Sequence, residues 1–299
     1  MKIVLNGNVI NEEQAVVSVY DHGFLYGMGL FETFRTYGGS PFLLYRHLHR
    51  LAEGCRELDI AFEPKPAKLK VEVAKLLDAN GLADADAYFR YTVTAGVDIL
   101  GLPSDSYKQP TEVLYVKPLP AAHPSLYKEG KALQKLAIRR NSPEGALRHK
   151  SLHYMNNILA KKEMNRYPWA AGAEGLFLDA QGFLCEGIVS NVFFIKDGAL
   201  HTPAKETGLL PGITRQLVME LADNLSIPFS EGWYRWEDLQ QADEVFITNS
   251  IQELVPVSAL FDEKGEAHPV ESRGIGPMTQ RLLTAYRQAA VSGRLEDGQ

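Results

Sequence analysis

Three short segments carry the residue types with the most chemistry in them: Leu147-Arg148-His149-Lys150-Ser151, Cys185-Glu186-Gly187-Ile188-Val189-Ser190-Asn191 and Leu210-Pro211-Gly212-Ile213-Thr214-Arg215. They supply, in that order, a lysine amine, a carboxylate and a glycine-led helix start. An amine can form an imine with an aldehyde, a carboxylate can hold a pyridinium nitrogen, and the free N–H groups of a helix start can seat a phosphate. Together these are the attachments that pyridoxal phosphate (PLP) needs.

Each has a plainer reading beside it. An imine-forming lysine must be neutral part of the time, which nearby cations favour; Arg148 and His149 flank Lys150, yet by itself Lys150 is one of 31 basic residues and reads as a surface charge. Glu186 follows Phe183-Leu184-Cys185 and precedes Gly187, as when a strand delivers a carboxylate at its end; the alternative is a solvated glutamate after the turn Asp179-Ala180-Gln181-Gly182. Arg50 offers a phosphate a bidentate guanidinium from the helix face it shares with His47 and Gly54, or else pairs with Glu53 or Glu57. Gly212, Ile213 and Thr214 offer N–H groups and a hydroxyl, or are an ordinary helix start. Thr248, in Thr248-Asn249-Ser250 after an apolar strand, is a third phosphate candidate. The combination favours the cofactor over the separate plain readings.

Rival motifs are weak. Gly23-Phe24-Leu25-Tyr26-Gly27-Met28-Gly29 has neither dinucleotide nor P-loop spacing and reads as a tight active-site loop. No HExxH and no Gly-x-Ser-x-Gly occurs, which leaves metalloprotease and α/β-hydrolase readings unsupported.

The elements that must position these residues follow from periodicity. Asn6-Gly7 between 2–5 and 8–10 predicts a hairpin. Leu44, Leu48, Leu51, Cys55 and Leu58 recur at steps of four and three, which predicts a helix with one apolar stripe. A second helix is expected over 67–79, closed by Asn80-Gly81, and strands over 88–94 and 112–116. Three prolines within Lys117-Pro118-Leu119-Pro120-Ala121-Ala122-His123-Pro124 predict an extended linker. Beyond it strands are expected over 133–139, 175–178 and 191–195, and helices over 152–165, 213–224 and 277–290, with 292–299 frayed. The expected division is a lobe over 1–117, a linker over 118–124 and a second lobe over 125–299.

At 299 residues and 45% apolar content the chain can bury one large core or two ordinary ones. A net charge of −6 with acids and bases interspersed argues against nucleic acid as a partner. Two cysteines without metal-ligand spacing indicate neither a disulfide framework nor a zinc site, and fit a reducing cytoplasm. No signal peptide and no long apolar run is seen, so neither export nor membrane anchoring is expected.

The chain resembles the fold-type IV PLP enzymes, the class IV aminotransferase family, over nearly its whole length. The likeness rests on Asp21-His22-Gly23-Phe24-Leu25-Tyr26-Gly27 with Phe31-Glu32, His47-x-x-Arg50-Leu51, His149-Lys150, Glu186-Gly187-x-x-Ser190-Asn191, Leu210-Pro211-Gly212-Ile213-Thr214-Arg215, Ala242-Asp243-Glu244 with Thr248-Asn249, and Gly276-Pro277-Met278-Thr279. It implies an α+β fold of two domains, a smaller N-terminal α+β lobe and a larger C-terminal lobe with a barrel-like sheet, and a homodimer. By resemblance Lys150 is the Schiff-base lysine, Glu186 the partner of the pyridine nitrogen, Arg50 the phosphate arginine, and Ile213, Thr214 and Thr248 the phosphate loop. Ser190 and Asn191 belong to the cofactor motif, and Tyr154 is similar to a tyrosine beside the cofactor's phenolic oxygen.

Within the family, D-amino-acid aminotransferases grip the substrate carboxylate with an Arg-Gly pair, and this chain has Ala95-Gly96 at the comparable place. The wording of 21–27, 31–35, 139–145 and 150–157 is most similar to the bacterial 4-amino-4-deoxychorismate lyases. That implies a lyase releasing pyruvate and 4-aminobenzoate, with a branched-chain or D-amino-acid aminotransferase as the alternative, and a PLP-holding protein without turnover as a distant third. Two substrate carboxylates need cationic partners. The candidates are Arg139, Arg140, Arg148 and Arg90, with Arg139 and Arg140 expected on a strand leading toward Lys150.

Overall fold

The computed structural model describes residues 1–103 and 105–292. The chain divides into two compact units: residues 1–121 with 149–153 and the end of the last helix from Ala289, and residues 122–148 with 154–288. The change of unit at Ala121–Ala122 falls inside the proline-rich segment. Lys150, expected in the C-terminal lobe, belongs to the first unit.

The first unit is built on β1 (Lys2–Leu5), β2 (Asn8–Asn11), β3 (Gly29–Tyr37), β4 (Ser40–Pro41), β5 (Ala87–Thr94) and β6 (Thr111–Pro118), with helices α1 (His22–Tyr26), α2 (Leu44–Glu57) and α3 (Pro66–Ala79). Its sheet has the order β2-β1-β6-β5-β3-β4, every neighbouring pair antiparallel. Asn6 and Gly7, at φ 48° and 79°, make the left-handed hairpin turn that the Asn-Gly pair predicts. Leu44, Leu48, Leu51 and Cys55 are buried as one stripe of α2, against Leu76 and Leu77 of α3 and Phe34 and Phe89 of the sheet. Each such leucine contributes about 1.5–3 kcal/mol on leaving water.

The segment expected as a tight loop at 23–29 instead contains α1. Asp21 caps it by accepting the Gly23 N–H at 2.7 Å, and Gly27 at φ 70° ends it. A five-residue helix is too short to show an apolar period.

The second unit contains α4 (Ser125–Glu129), β7 (Lys131–Lys135), α5 (Met155–Glu163), β8 (Glu174–Leu178), β9 (Leu184–Gly187), β10 (Asn191–Lys196), β11 (Ala199–Pro203), α6 (Ile213–Asn224), β12 (Phe229–Gly232), α7 (Trp236–Gln240), β13 (Glu244–Asn249), β14 (Glu253–Phe261), β15 (Ala267–Pro269) and α8 (Pro277–Ser292). Its sheet runs β12-β11-β10-β13-β14-β7-β8-β9, with β15 on β14, and curls as a half-barrel so that β9 returns beside β10 and β11. The neighbours are parallel at β11–β12, β14–β7 and β7–β8. With a mixed sheet here and helices packed on both sheets, the chain has the α+β, fold-type IV architecture.

Two further expectations change. The strand expected over 133–139 stops at Lys135, because the N–H groups of Ala137 and Ile138 donate to the Glu163 carboxylate at 2.6 and 3.0 Å rather than to a strand. The helix expected from residue 152 begins at Met155, because residues 150–152 run beside β3: the Phe31 N–H donates to Lys150 O at 2.9 Å and the Leu152 N–H to Gly29 O at 3.0 Å. The frayed end expected from 292 lies outside the described residues, apart from Ser292, which closes α8.

Among the described residues no helix is long and apolar enough to cross a membrane, and no group of three or more metal-ligating side chains occurs. Cys55 and Cys185 are both free and buried. Burial, reinforced by Glu112, pushes the Cys55 thiol up to about 12, and burial beside Glu186 raises Cys185 as well.

Candidate active site

In the first unit Lys150 is fixed through its backbone to β3. Ser151 forms a bridge with Leu30, and the His149 ring bonds the Glu57 carboxylate of α2 at 2.9 Å. Gly54 of α2 permits this approach, since a Cβ there would lie 2.6 Å from Leu30 Cδ1 and 3.1 Å from His149 Nδ1. The Lys150 Nζ lies 4.6 Å from the centroid of the Phe31 ring, and the Arg90 guanidinium stacks on the same ring at 3.5 Å. Arg90 Nε also donates to Thr92 Oγ1 at 3.2 Å. Of the four candidate carboxylate-binding arginines, Arg90 is the one gathered with Lys150 in this unit.

Arg50 pairs neither with Glu53 nor with Glu57. Its Nε and Nη2 each donate at 2.7 Å to the two oxygens of Glu32, a buried carboxylate on β3, and the His47 Nδ1 lies 2.6 Å from Glu32 Oε2. Burial pushes the Glu32 carboxyl upward, but the Arg50 charge and the hydrogen bonds from His47 and Arg50 outweigh it and hold the group at about 2. Burial lowers His47, with Glu32 opposing and Arg50 and Lys150 assisting, so the ring favours its neutral form and Nδ1 donates.

In the second unit Glu186 is the buried penultimate residue of β9, as the strand reading expects. Its Oε1 accepts from Arg140 Nε at 2.7 Å and its Oε2 from the Leu210 N–H at 3.0 Å. Arg140 is therefore buried against Glu186, and its Nη1 donates further to Asn156 Oδ1 at 2.7 Å and Asn157 Oδ1 at 3.3 Å. Arg148 donates to Gly208 O at 2.5 Å and to Asn141 O, with its Nε 3.9 Å from Glu186; burial and then Arg140 lower its pKa. Arg139 is exposed after β7, with its carbonyl accepting from Asn156 at 3.0 Å. The expected strand carrying Arg139 and Arg140 toward Lys150 is thus not formed, and Arg140 and Arg148 are committed to Glu186 and to backbone carbonyls.

The helix start at Gly212 is also as expected, and α6 runs over Ile213–Asn224 with no side-chain cap on its first N–H groups. Asn191 stands opposite Thr248 in the β10–β13 ladder and fastens the loop before the helix through Nδ2 to Leu210 O at 2.9 Å. Gly212 has no room for a side chain, because a Cβ would fall 2.2 Å from Asn191 Oδ1. Thr214 Oγ1 lies 3.4 Å from Ser250 Oγ, while Thr248 Oγ1 is buried with no hydrogen-bond partner among the described residues. Ser190 turns instead to Glu174, at 3.1 Å. Tyr154 is the half-buried N-cap residue of α5. Sequence reasoning gave no role to Glu32, His47, Asn156 or Asn157; the signal for the first two was a glutamate within an apolar strand and a histidine on the Arg50 face of α2.

A family model for amino-transferase class IV matches residues 29–260. The chain belongs to the class IV aminotransferase family. This class IV chain is 41% identical over 270 residues to the aminodeoxychorismate lyase of Bacillus subtilis (strain 168), covering 89% of this chain and 90% of that protein. It is 37% identical over 289 residues to a putative branched-chain-amino-acid aminotransferase of Methanocaldococcus jannaschii, covering 96% of each. The crystal structure of 4-amino-4-deoxychorismate lyase from Pseudomonas aeruginosa is similar, with a TM-score of 0.80 at 31% identity over 96% of this chain and 98% of that one. Class IV enzymes are PLP-dependent, and so is this one. The residues present fit that group: a buried threonine hydroxyl without a partner and an uncapped helix start are what a phosphate dianion satisfies.

Proposed function

We propose that the protein is an aminodeoxychorismate lyase, converting 4-amino-4-deoxychorismate to 4-aminobenzoate and pyruvate in folate biosynthesis. The observation that carries this reading is the 41% identity over 89% of the chain to a lyase of that name. Ala95, buried where D-amino-acid aminotransferases place a carboxylate-binding arginine, agrees with it.

Arg50, Ile213, Thr214 and Thr248 would hold the cofactor's phosphate, Glu186 its pyridine nitrogen and Lys150 its aldehyde carbon, with Ser190, Asn191 and Tyr154 supporting. PLP supplies an electron sink for the carbon bearing the substrate's amine. Glu186, oriented by Arg140 and the Leu210 N–H, would hold the pyridine nitrogen in its protonated form. Lys150 would take the C4 proton of the substrate through its side-chain amine. The C3–O bond would then break as the C3–C4 double bond forms and the ring becomes aromatic, and the released enolpyruvate takes up a proton to become pyruvate. Arg90, stacked beside Lys150 on Phe31, is the first choice for a substrate carboxylate.

The purified protein given aminodeoxychorismate without any 2-oxo acid should release pyruvate and 4-aminobenzoate over many turnovers, and borohydride should fix the cofactor on Lys150. The second reading, a branched-chain aminotransferase, is favoured by the 37% identity over 96% of the chain to a protein so named. Sustained amino transfer from branched-chain amino acids with no lysis would establish it instead.

The working form is a homodimer in the cytoplasm, where two free buried thiols fit a reducing compartment. Val16, Val19, Phe24, Val97, Leu100 and Leu102 are exposed on two segments of the first unit, which are joined by the Asp21–Val97 bridge and by the His22 ring on Ile99 O at 2.7 Å. An apolar group of this size suits a second copy of the chain. Val97→Asp with Leu102→Asp should convert a dimer to a monomer in sedimentation; a monomeric parent protein would refute the assignment.

A further inference from the structure

We infer that Glu32 and His47 are positioning residues that aim Arg50 at the cofactor's phosphate. The inference rests on the phosphate role proposed for Arg50 and extends it to two residues outside the cofactor set.

Glu32 grips the guanidinium at two points, through Nε and Nη2, both at 2.7 Å. A planar guanidinium held on that edge cannot rotate, and its Nη1 corner is turned away from the carboxylate. His47 holds the carboxylate in turn, at 2.6 Å, so the grip is itself fixed. The Glu32 and His47 side chains are each only 2% exposed, and that of Arg50 is 16% exposed. The two inner groups are thus shut off from water, and the arginine less completely. Burying a carboxylate is costly unless its partners are fixed, and here one strand and one helix fix them, with Glu32 on β3 and His47 and Arg50 three residues apart on α2. A phosphate-binding arginine oriented in advance loses less side-chain freedom on binding than a mobile one.

The plainer account is that the cluster only fastens α2 to β3. The two accounts differ in how they treat the phosphate. Pyridoxal lacks it, so a residue that merely supports the unit would weaken PLP and pyridoxal alike, whereas a residue that aims Arg50 would weaken PLP selectively.

The test uses the full-length protein freed of cofactor and retitrated by absorbance with PLP and with pyridoxal. Arg50→Ala should lower the preference for PLP. Glu32→Gln should lower it in the same direction, weakening PLP about tenfold or more while pyridoxal stays within about twofold. The double variant should bind PLP no more weakly than Arg50→Ala alone, since Glu32 acts through that arginine. His47→Asn, which keeps a donor near the Nδ1 position, should retain most of the preference, and His47→Leu should lose it. If Glu32→Gln does not fold, Glu32→Asp, which keeps the charge but withdraws it by one methylene, is read in the same way. Equal weakening of PLP and pyridoxal by Glu32→Gln, or losses that multiply in the double variant, would overturn the inference while leaving the role of Arg50 intact. An unchanged preference in Arg50→Ala would overturn the phosphate reading itself, and the inference with it.

Discussion

At the scale of single residues, identity fixes what a group can do and partners fix what it does. Arg140 has the charge to bind a substrate carboxylate, but its Nε is spent on Glu186 and its Nη1 on asparagine oxygens. Arg140→Met should therefore lower kcat by about tenfold or more with little change in KM, because Glu186 loses its orienting donor. A raised KM at unchanged kcat would return Arg140 to the substrate. Thr248 gives the opposite kind of prediction. Its hydroxyl is buried without a partner among the described residues, so Thr248→Val should leave the melting temperature of the cofactor-free protein unchanged or higher, while weakening PLP by about 0.5–1.5 kcal/mol. Loss of stability without cofactor, together with unchanged PLP affinity, would remove Thr248 from the phosphate site.

At the scale of elements, the site depends on where strands and helices stop. Gly212 is the N-cap residue of α6, Asn191 fills the space in which its side chain would otherwise stand, and Asn191 in turn ties Leu210 to β10. Gly212→Ala would place a Cβ 2.2 Å from Asn191 Oδ1 and must displace either the loop or the asparagine. The expected outcome is faster loss of PLP on dialysis with the melting temperature of the cofactor-free protein lowered by only a few degrees, measured by absorbance and calorimetry. Retention equal to the parent protein's would show that the loop adjusts without cost.

At the scale of the whole molecule, the buried Glu32–His47–Arg50 cluster makes the fold sensitive to acid. Glu32 titrates at about 2 in the folded protein against an ordinary value of 4.5, so its contribution is complete above 4.5 and is lost as the pH falls toward 2. His47 is also lowered from its ordinary 6.5, so protonation opposes folding as the pH falls below that value. Both shifts have the same sign, and the melting temperature should fall progressively on acidification from about 6.5. Glu32→Gln should be less stable at neutral pH and lose less of its remaining stability between 4.5 and 2. A parent and a variant with parallel pH profiles would show that Glu32 does not carry the acid response.

What the sequence determined by itself was local or periodic. The α2 stripe, the Asn6-Gly7 turn, the Gly212 helix start and the strand that delivers Glu186 follow from steps of three and four, from left-handed backbone and from apolar runs, all of which act over a few residues. The proposal of Lys150 as the imine-forming residue has another ground: its chemistry belongs to the residue type, and the spaced motifs around it narrow the choice among 31 basic residues. Tertiary structure alone decided the partners. That Arg50 meets Glu32 rather than Glu53 or Glu57, that Arg140 and Arg148 serve Glu186, and that Glu163 takes the N–H groups that end β7 are contacts between groups 18 to 46 positions apart. No period or turn encodes such pairings. They are set by which strands adjoin in a curled sheet and by which buried charges must find a counter-charge there, a condition that only the folded chain satisfies.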